Sequence, residues 1–205
     1  MPKLLHIEAS PRGDRSASTT VAKQFIEAYR RANPDDTVET LDLWHAKLPE
    51  FDGATIEAKY AVMTGQNPTP EQAQAWQVVT KVTNNFKSAD KYVISLPMWN
   101  FGIPYKLKHF IDVLVQPGQA FSFSPDTGYK GLITGKPVVL IYARAGAYGP
   151  GTGMEAYDAQ SSYMRQVLGF IGFTDIKEVF VEPTAAKADA VEVGSKQATE
   201  FAASF

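Results

Sequence analysis

The chain has 205 residues, enough for one sizeable hydrophobic core and short for two independent domains. It is 44% hydrophobic and 20% charged, an ordinary globular composition, and 20 Lys and Arg against 22 Asp and Glu leave a formal charge of -2. That balance excludes a general electrostatic pull toward nucleic acid or an anionic membrane, and the absence of cysteine excludes disulfides, thiolate metal sites and cysteine nucleophiles together.

Redox chemistry in such a chain needs a cofactor, and no metal ligand set is expected. The opening "MPKLLHIEAS" is too short and too polar for a signal-peptide core, and no run approaches the roughly 18 apolar residues of a membrane helix. A cytoplasmic protein is the expectation.

In chain order, "LLHIEA" at 4–9 predicts a strand that breaks into the turn-forming "SPRGDRSAST". Ala22, Phe25, Ile26 and Tyr29 recur at helical spacing, "NPDD" at 33–36 ends that helix, and "TVETLDL" at 37–43 fits a second strand. Residues 44–68 carry Pro49, Gly53, Gly65 and Pro68 without a steady period, which predicts a long excursion with at most a short helix.

Thr69, Pro70 and Gln72 then supply an N-cap, a first-turn proline and a capping-box partner for a helix through Trp76, Val79 and Phe86. "KYVISL" at 91–96 is the third strand. Leu107, Phe110, Ile111 and Leu114 mark another helix, and "FSFSPDTGYKGL" reads as a hairpin turning at Pro125 to Gly128.

The continuous hydrophobicity of "PVVLIYA" at 137–143 predicts a strand covered on both faces. Ala156, Tyr163, Met164, Val167 and Leu168 predict a helix stopping at Gly169. "IKEVFV" at 176–181 is the fifth strand, and residues 184–205 are expected to form a terminal helix.

Five strands alternating with helices predict a parallel sheet with right-handed crossovers, a doubly wound α/β domain over residues 1–205. Strand order 2-1-3-4-5 suits five strands, and it places a switch point between strands 1 and 3.

Three loops would meet there. The first holds Ser10, Arg12, Arg15, Ser16, Ser18 and Thr19 before a helix, where free N–H groups and hydroxyls suit a phosphate; the plainer reading is that Ser16 or Ser18 caps the helix. With no G-x-x-x-x-G-K-[ST] and only Gly13 in this loop, a monophosphate is expected rather than a triphosphate or a dinucleotide.

The second loop, "PMWNFGIP" at 97–104, puts Met98, Trp99, Asn100 and Phe101 after a central strand. Stiffened by Pro97 and Pro104, it suits a flat heterocycle, although large apolar side chains usually serve as core or interface. The third, "ARAGAYGPGTGM", does not fit G-x-G-x-x-G and reads as a flexible wall of the ring site, or simply as a glycine-rich loop.

Ser10 with Ser16-Ala17-Ser18, Pro97-Met98-Trp99-Asn100-Phe101-Gly102-Ile103-Pro104 and Arg144-Ala145-Gly146 together resemble the three flavin loops of the FMN-dependent NADH:quinone oxidoreductases that also act as azoreductases. The resemblance covers essentially the whole chain. It implies a flavodoxin-like fold, a homodimer with active sites at its interface, and one noncovalent FMN per subunit.

On that resemblance Ser10, Ser16, Ala17 and Ser18 would hold the phosphate, Met98, Trp99, Asn100 and Phe101 the isoalloxazine, and Ala143, Arg144, Ala145 and Gly146 its pyrimidine side. Ala145 stands where the family commonly has glycine, and Trp99 where it commonly has tyrosine.

The implied reaction is ping-pong: NADH or NADPH reduces FMN, and a quinone or azo compound then takes two electrons from the same face. No side-chain nucleophile is required. Phe101, Phe123 and Tyr148 are candidate substrate contacts, Phe123 because the hairpin would reach across a dimer. Hydrophobic packing is the plain alternative for the two phenylalanines, and a surface position for the tyrosine.

His6 and His109 read as structural, and His45 is given no role. Three other readings are an NAD(P)H-dependent FMN reductase releasing reduced flavin, a flavodoxin-type electron carrier, and a flavin-free interaction protein. The near-neutral charge and the 44–68 excursion weigh against the carrier.

Overall fold

A computed structural model describes residues 1–205. Its central sheet has the parallel order β2-β1-β3-β6-β7, built from β1 (Lys3–Glu8), β2 (Thr37–Asp42), β3 (Lys91–Pro97), β6 (Val138–Ala143) and β7 (Ile176–Val181). The hairpin strands β4 (Phe121–Ser124) and β5 (Gly128–Gly131) form a separate antiparallel pair. In sequence terms the main order is 2-1-3-4-5, the doubly wound, flavodoxin-like α/β fold expected.

Helices cover both faces because the interior strands bury both. In β3 and β6, five successive residues are buried, a pattern that only a two-sided core supports. On one face Leu5, Ile7, Tyr92, Ile94, Leu96, Leu140 and Tyr142 pack with Phe86 of α3 (Pro70–Lys87), Phe110 of α4 (Tyr105–Leu114) and Met164 of α5 (Ala159–Ile171).

On the other face Leu4, Val93, Val139, Ile141 and Val179 meet Phe25 of α1 (Ala17–Ala32) and Ala198 of α6 (Ala190–Ala202). α3 opens with the expected capping box, the Thr69 hydroxyl accepting from Gln72 N at 3.2 Å and Gln72 Oε1 accepting from Thr69 N at 2.9 Å. No helix is long and apolar enough to cross a membrane.

Three expectations shift. The excursion contains α2 (Gly53–Met63), an 11-residue helix capped by Asp52 through Thr55 N. Its buried positions are Thr55, Ala58 and Ala61, while Ile56, Tyr60, Val62 and Met63 are exposed, so apolar residues lie on every side and leave no readable stripe.

α5 passes through Gly169 and stops at Gly172, whose φ of 117° provides the left-handed cap. Gly131 lets the hairpin approach this cap, since a side chain there would strike the backbone of Ile171 and Gly172. The terminal helix begins at Ala190, after a turn through residues 184–189.

Candidate functional site

The loops that follow β1, β3, β6 and β7 leave the same edge of the parallel sheet. They enclose a crevice of about 210 Å³ lined by Ser10, Pro11, Arg12, Ser16, Ala17, Pro97, Met98, Trp99, Ala143, Arg144, Ala145 and Thr184. The crevice opens at the switch point, where the chain leaves β1 and β3 toward opposite faces.

In the first loop a single 3-10 turn, Gly13–Arg15, delivers Ser16 to the N-cap of α1. Ser16 Oγ accepts from Thr19 N at 3.4 Å and lies 3.1 Å from Ser18 Oγ, while Ser10 Oγ accepts from Arg12 N at 3.4 Å. Ser10, Ser16 and Ser18 are all buried.

Ser16 therefore caps the helix and also lines the crevice, whereas Ser18 supports it from behind. The N–H groups of Ala17 and Ser18 have no partner within the chain, so the helix opens with free donors and the positive end of its dipole. Arg15 is exposed and stays off the crevice lining. Behind this loop the Thr19 hydroxyl donates to Glu8 at 3.1 Å, and burial lifts the Glu8 carboxyl above the usual carboxylate range despite that bond.

In the second loop Met98 N donates to Ala143 O at 2.8 Å, extending the sheet by one residue. Trp99 and Gly102 then exchange N–H···O bonds of 3.1 and 2.9 Å around Asn100 and Phe101. Both central residues have positive φ, 46° and 69°, the signature of a type I′ turn. Asparagine tolerates that region; phenylalanine does so only under strain. The turn leaves the N–H groups of Asn100 and Phe101 without partners in the chain.

Trp99 packs at 5.7 Å from Trp44 and 6.3 Å from Tyr105, and Trp44 Nε1 donates to Ala9 O at 3.0 Å. This aromatic cluster ties the second loop to the first. Phe101 is exposed and meets Tyr157 at 5.3 Å and Tyr148 at 6.3 Å, which brings the third loop over the turn.

The third loop keeps its backbone near the crevice. Arg144 N donates to Val181 O at 3.1 Å, Arg144 O accepts from Thr184 N and Oγ1 at 2.9 and 3.0 Å, and Ala145 O accepts from Ala185 N at 3.2 Å. The N–H groups of Ala145 and Gly146 have no partner in the chain. The Tyr148 ring lies against Gly146.

Ser10, Ser16, Ala17, Met98, Trp99, Ala143, Arg144 and Ala145 thus converge on one crevice, with Asn100, Phe101, Gly146 and Tyr148 just beyond. Phe123 sits apart, on the hairpin against Tyr129 at 4.9 Å and 60% exposed. The glycine run is more knit than a flexible wall: Glu155 accepts from Gly151 N at 2.6 Å and from Thr152 N at 3.2 Å, and Gly149 faces a separate recess of about 570 Å³.

A larger recess of about 740 Å³ opens beside the second loop, with Phe51, Ile103, Tyr105, His109 and Tyr163 in its wall. Sequence reading missed Trp44, Tyr157 and Thr184. Only Thr184 carried a signal, since it follows the fifth strand on the edge shared with strands 1, 3 and 4. The two histidines expected to be structural each have a partner within the fold: His6 Nε2 lies 2.9 Å from Ser95 Oγ, and His109 Nε2 is 2.8 Å from Pro49 O.

A doubly wound sheet with a donor-rich helix N-terminus and an aromatic loop at its switch point defines the flavodoxin-like class, and the flavodoxin-like fold family matches residues 2–204. The FMN-dependent NADH:quinone oxidoreductase of Nitratidesulfovibrio vulgaris strain Hildenborough is 49% identical over 210 residues, covering 98% of this chain and all of the relative. That of Desulfotalea psychrophila is 52% identical over 184 residues, covering 90% and 86%.

Among solved structures, an azoreductase from Bacillus anthracis strain Sterne matches with a TM-score of 0.91 and 32% identity over the full length of both chains. An FMN-dependent NADH-azoreductase from Bacillus anthracis strain Ames Ancestor in complex with FMN matches with a TM-score of 0.91 and 29% identity, covering 100% of this chain and 99% of the other. The chain belongs to the family of FMN-dependent NADH:quinone oxidoreductases, an enzyme family on the flavodoxin-like fold.

Proposed function

We propose that this chain is a two-electron oxidoreductase that uses noncovalent FMN, takes its electrons from NADH and delivers them to quinones or azo compounds in a ping-pong cycle. The observation that carries this reading is the set of unpartnered backbone N–H groups on three loops around one crevice: Ala17 and Ser18, Asn100 and Phe101, Ala145 and Gly146. They fit FMN in kind and in distribution. The N-terminus of α1 suits a phosphate, and amides flanking an aromatic and thioether surface suit the polar edge of a flat ring.

In this reading Ser10, Ser16 and the amides of Ala17 and Ser18 bind the phosphate. Met98 and Trp99 set the plane of the ring, the amides of Asn100 and Phe101 meet its reactive edge, and Ala143 to Gly146 hold its pyrimidine side. When bound, FMN supplies the chemistry, accepting a hydride from the nicotinamide and passing two electrons on to the acceptor. Donors fixed in advance stabilise negative charge that develops on the ring without reorganising at the moment of reaction. Phe101 and Tyr148 form a wall for one planar molecule at a time, and no side chain acts as a nucleophile.

The crevice of about 210 Å³ is smaller than the roughly 300 Å³ at which small-molecule pockets begin, so one chain holds only part of the ligand's surroundings. Phe123, Tyr129 and Phe170 make an exposed aromatic cluster beside the outer face of α5. A homodimer covers that cluster and brings Phe123 toward the partner's site.

Initial rates with NADH and benzoquinone varied together test the cycle, and light scattering tests the dimer. Parallel double-reciprocal lines, one NADH per quinone, two NADH per cleaved azo bond and a dimeric mass are expected. Intersecting lines would overturn the ping-pong order, and a monomeric active species would overturn the shared site.

A further inference from the structure

Arg144 is a candidate flavin contact by its position in the third loop, yet its side chain is spent elsewhere. The side chain is only 1% exposed, and its partners Asp158, Gln160 and Glu182 lie outside the crevice lining. Nε donates to Gln160 Oε1 at 2.9 Å, Nη2 to Asp158 Oδ1 and Oδ2 at 3.0 and 2.9 Å, and Nη1 to Glu182 Oε2 at 3.3 Å. The guanidinium also lies 4.6 Å from the Phe180 ring centroid, 5.2 Å from that of Tyr142 and 5.7 Å from that of Tyr148.

These partners sit on different elements. Asp158 is the N-cap of α5 and accepts from Ser161 N at 2.9 Å, Gln160 is in the first turn of that helix, and Glu182 follows β7. Gln160 is fully buried and its amide nitrogen has no partner, so the bond from Arg144 Nε is what orients its amide. One planar cation with two carboxylates and an amide is a geometry that the arginine fork fills and a lysine ammonium cannot.

We propose that Arg144 is a positioning residue: its side chain clamps β6, β7 and the start of α5 together, and so sets the backbone of Ala143 to Gly146, and Tyr148 beyond it, against the flavin ring. The guanidinium itself touches neither flavin nor substrate. The proposal rests on the FMN reading above. Its physical content is that the third loop has two anchors, the carbonyls of Arg144 and Ala145 bonded to Thr184 and Ala185 and the guanidinium beneath them. Removing the second should loosen the first.

The test uses the full chain and the variants R144M, R144K and D158N, the last keeping a capping oxygen for α5 while losing the charge. Amide hydrogen exchange is measured on the FMN-free proteins. FMN affinity, and at saturating FMN kcat, the benzoquinone KM and the two-electron midpoint potential, are measured on the reconstituted ones.

We expect exchange at Thr184 and Ala185 to accelerate in R144M, with FMN affinity falling about tenfold to a hundredfold. The benzoquinone KM should rise more than kcat falls, and the midpoint potential should move. D158N should change in the same direction by less, and R144K should recover part of the loss. If R144M does not fold, D158N and R144K decide. Unchanged exchange with FMN affinity within twofold in a folded variant would overturn the inference alone; failure of the unsubstituted chain to bind FMN would overturn the functional reading and this inference with it.

Discussion

The loops that follow β3 and β6 end neighbouring strands, and they hold their amides toward one crevice by opposite means. The loop after β3 is short and strained: two prolines, a two-residue turn and two non-glycine residues at positive φ fix it with almost no side-chain hydrogen bonds. The loop after β6 is long and glycine-rich, and it is held from below by a buried arginine and from beside by the β7 exit. A tight turn is rigid by its own covalent geometry, whereas a long loop must borrow rigidity from tertiary bonds. The first is hard to move by distant substitution, the second easy.

Breaking the borrowed rigidity should have the largest effect. Arg144→Met leaves the Asp158 and Glu182 carboxylates without their shared cation, and truncating one partner of a buried charge network costs about 3–5 kcal/mol. Urea unfolding of the FMN-free protein measures it; a loss below about 1 kcal/mol, the scale of a surface pair, would show that the arginine is not an anchor.

Next in size is a pH effect under the other loop. His6 bridges to Ser95 between β1 and β3, and burial, followed by the nearby Lys23, lowers its pKa from 6.5 to about 4 against the opposing pull of Asp42. Between those values the unfolded chain binds the proton and the folded chain does not. The part of the stability that depends on neutral His6 should therefore be fully present above about pH 6.5, fall as pH drops toward 4 and level below, by about 3 kcal/mol over the window. Urea midpoints at a series of pH values in wild type and His6→Gln check this, the variant flattening the curve. Asp158 behaves oppositely in origin: its burial is outweighed by bonds from Ser161 and Arg144, its pKa is lowered, and its contribution is lost only as pH falls below the ordinary aspartate range.

A cap remote from both loops sets the scale. Thr69→Ala should cost about 1 kcal/mol through the capping box of α3, with FMN affinity unchanged by fluorescence titration.

The smallest stability change belongs to the strained turn. Phe101→Asn relieves about 1–2 kcal/mol of left-handed backbone strain and loses about 0.5–1.5 kcal/mol of ring contacts to Tyr148 and Tyr157. Net stability should rise by less than about 1 kcal/mol while the KM for benzoquinone rises. A variant both less stable and fully active would contradict the view that strain here serves the site.

The strand order and the convergence of three loops were legible because Leu4 to Ile7, Val93 to Leu96 and Val138 to Tyr142 are short apolar runs separated by helical crossovers, which leave few topologies. The capping box of α3 was legible because it is local. α2 was not, since Ala58 and Ala61 bury small side chains while Tyr60 and Met63 face outward. Gly169 looked like a stop because composition cannot show φ, which singles out Gly172 instead. The clamp on Arg144 was illegible for a different reason: its partners lie 14, 16 and 38 residues away, and only the fold makes them neighbours.

The most direct test of the central claim is anaerobic stopped-flow absorbance of the FMN-reconstituted protein, mixed first with NADH and then with benzoquinone. The account predicts rapid loss of the flavin band on the first mixing and its full return on the second, with two electrons passed per flavin and no flavin released. A chain that does not bind FMN, or that passes electrons singly and leaves a persistent one-electron state, would contradict it.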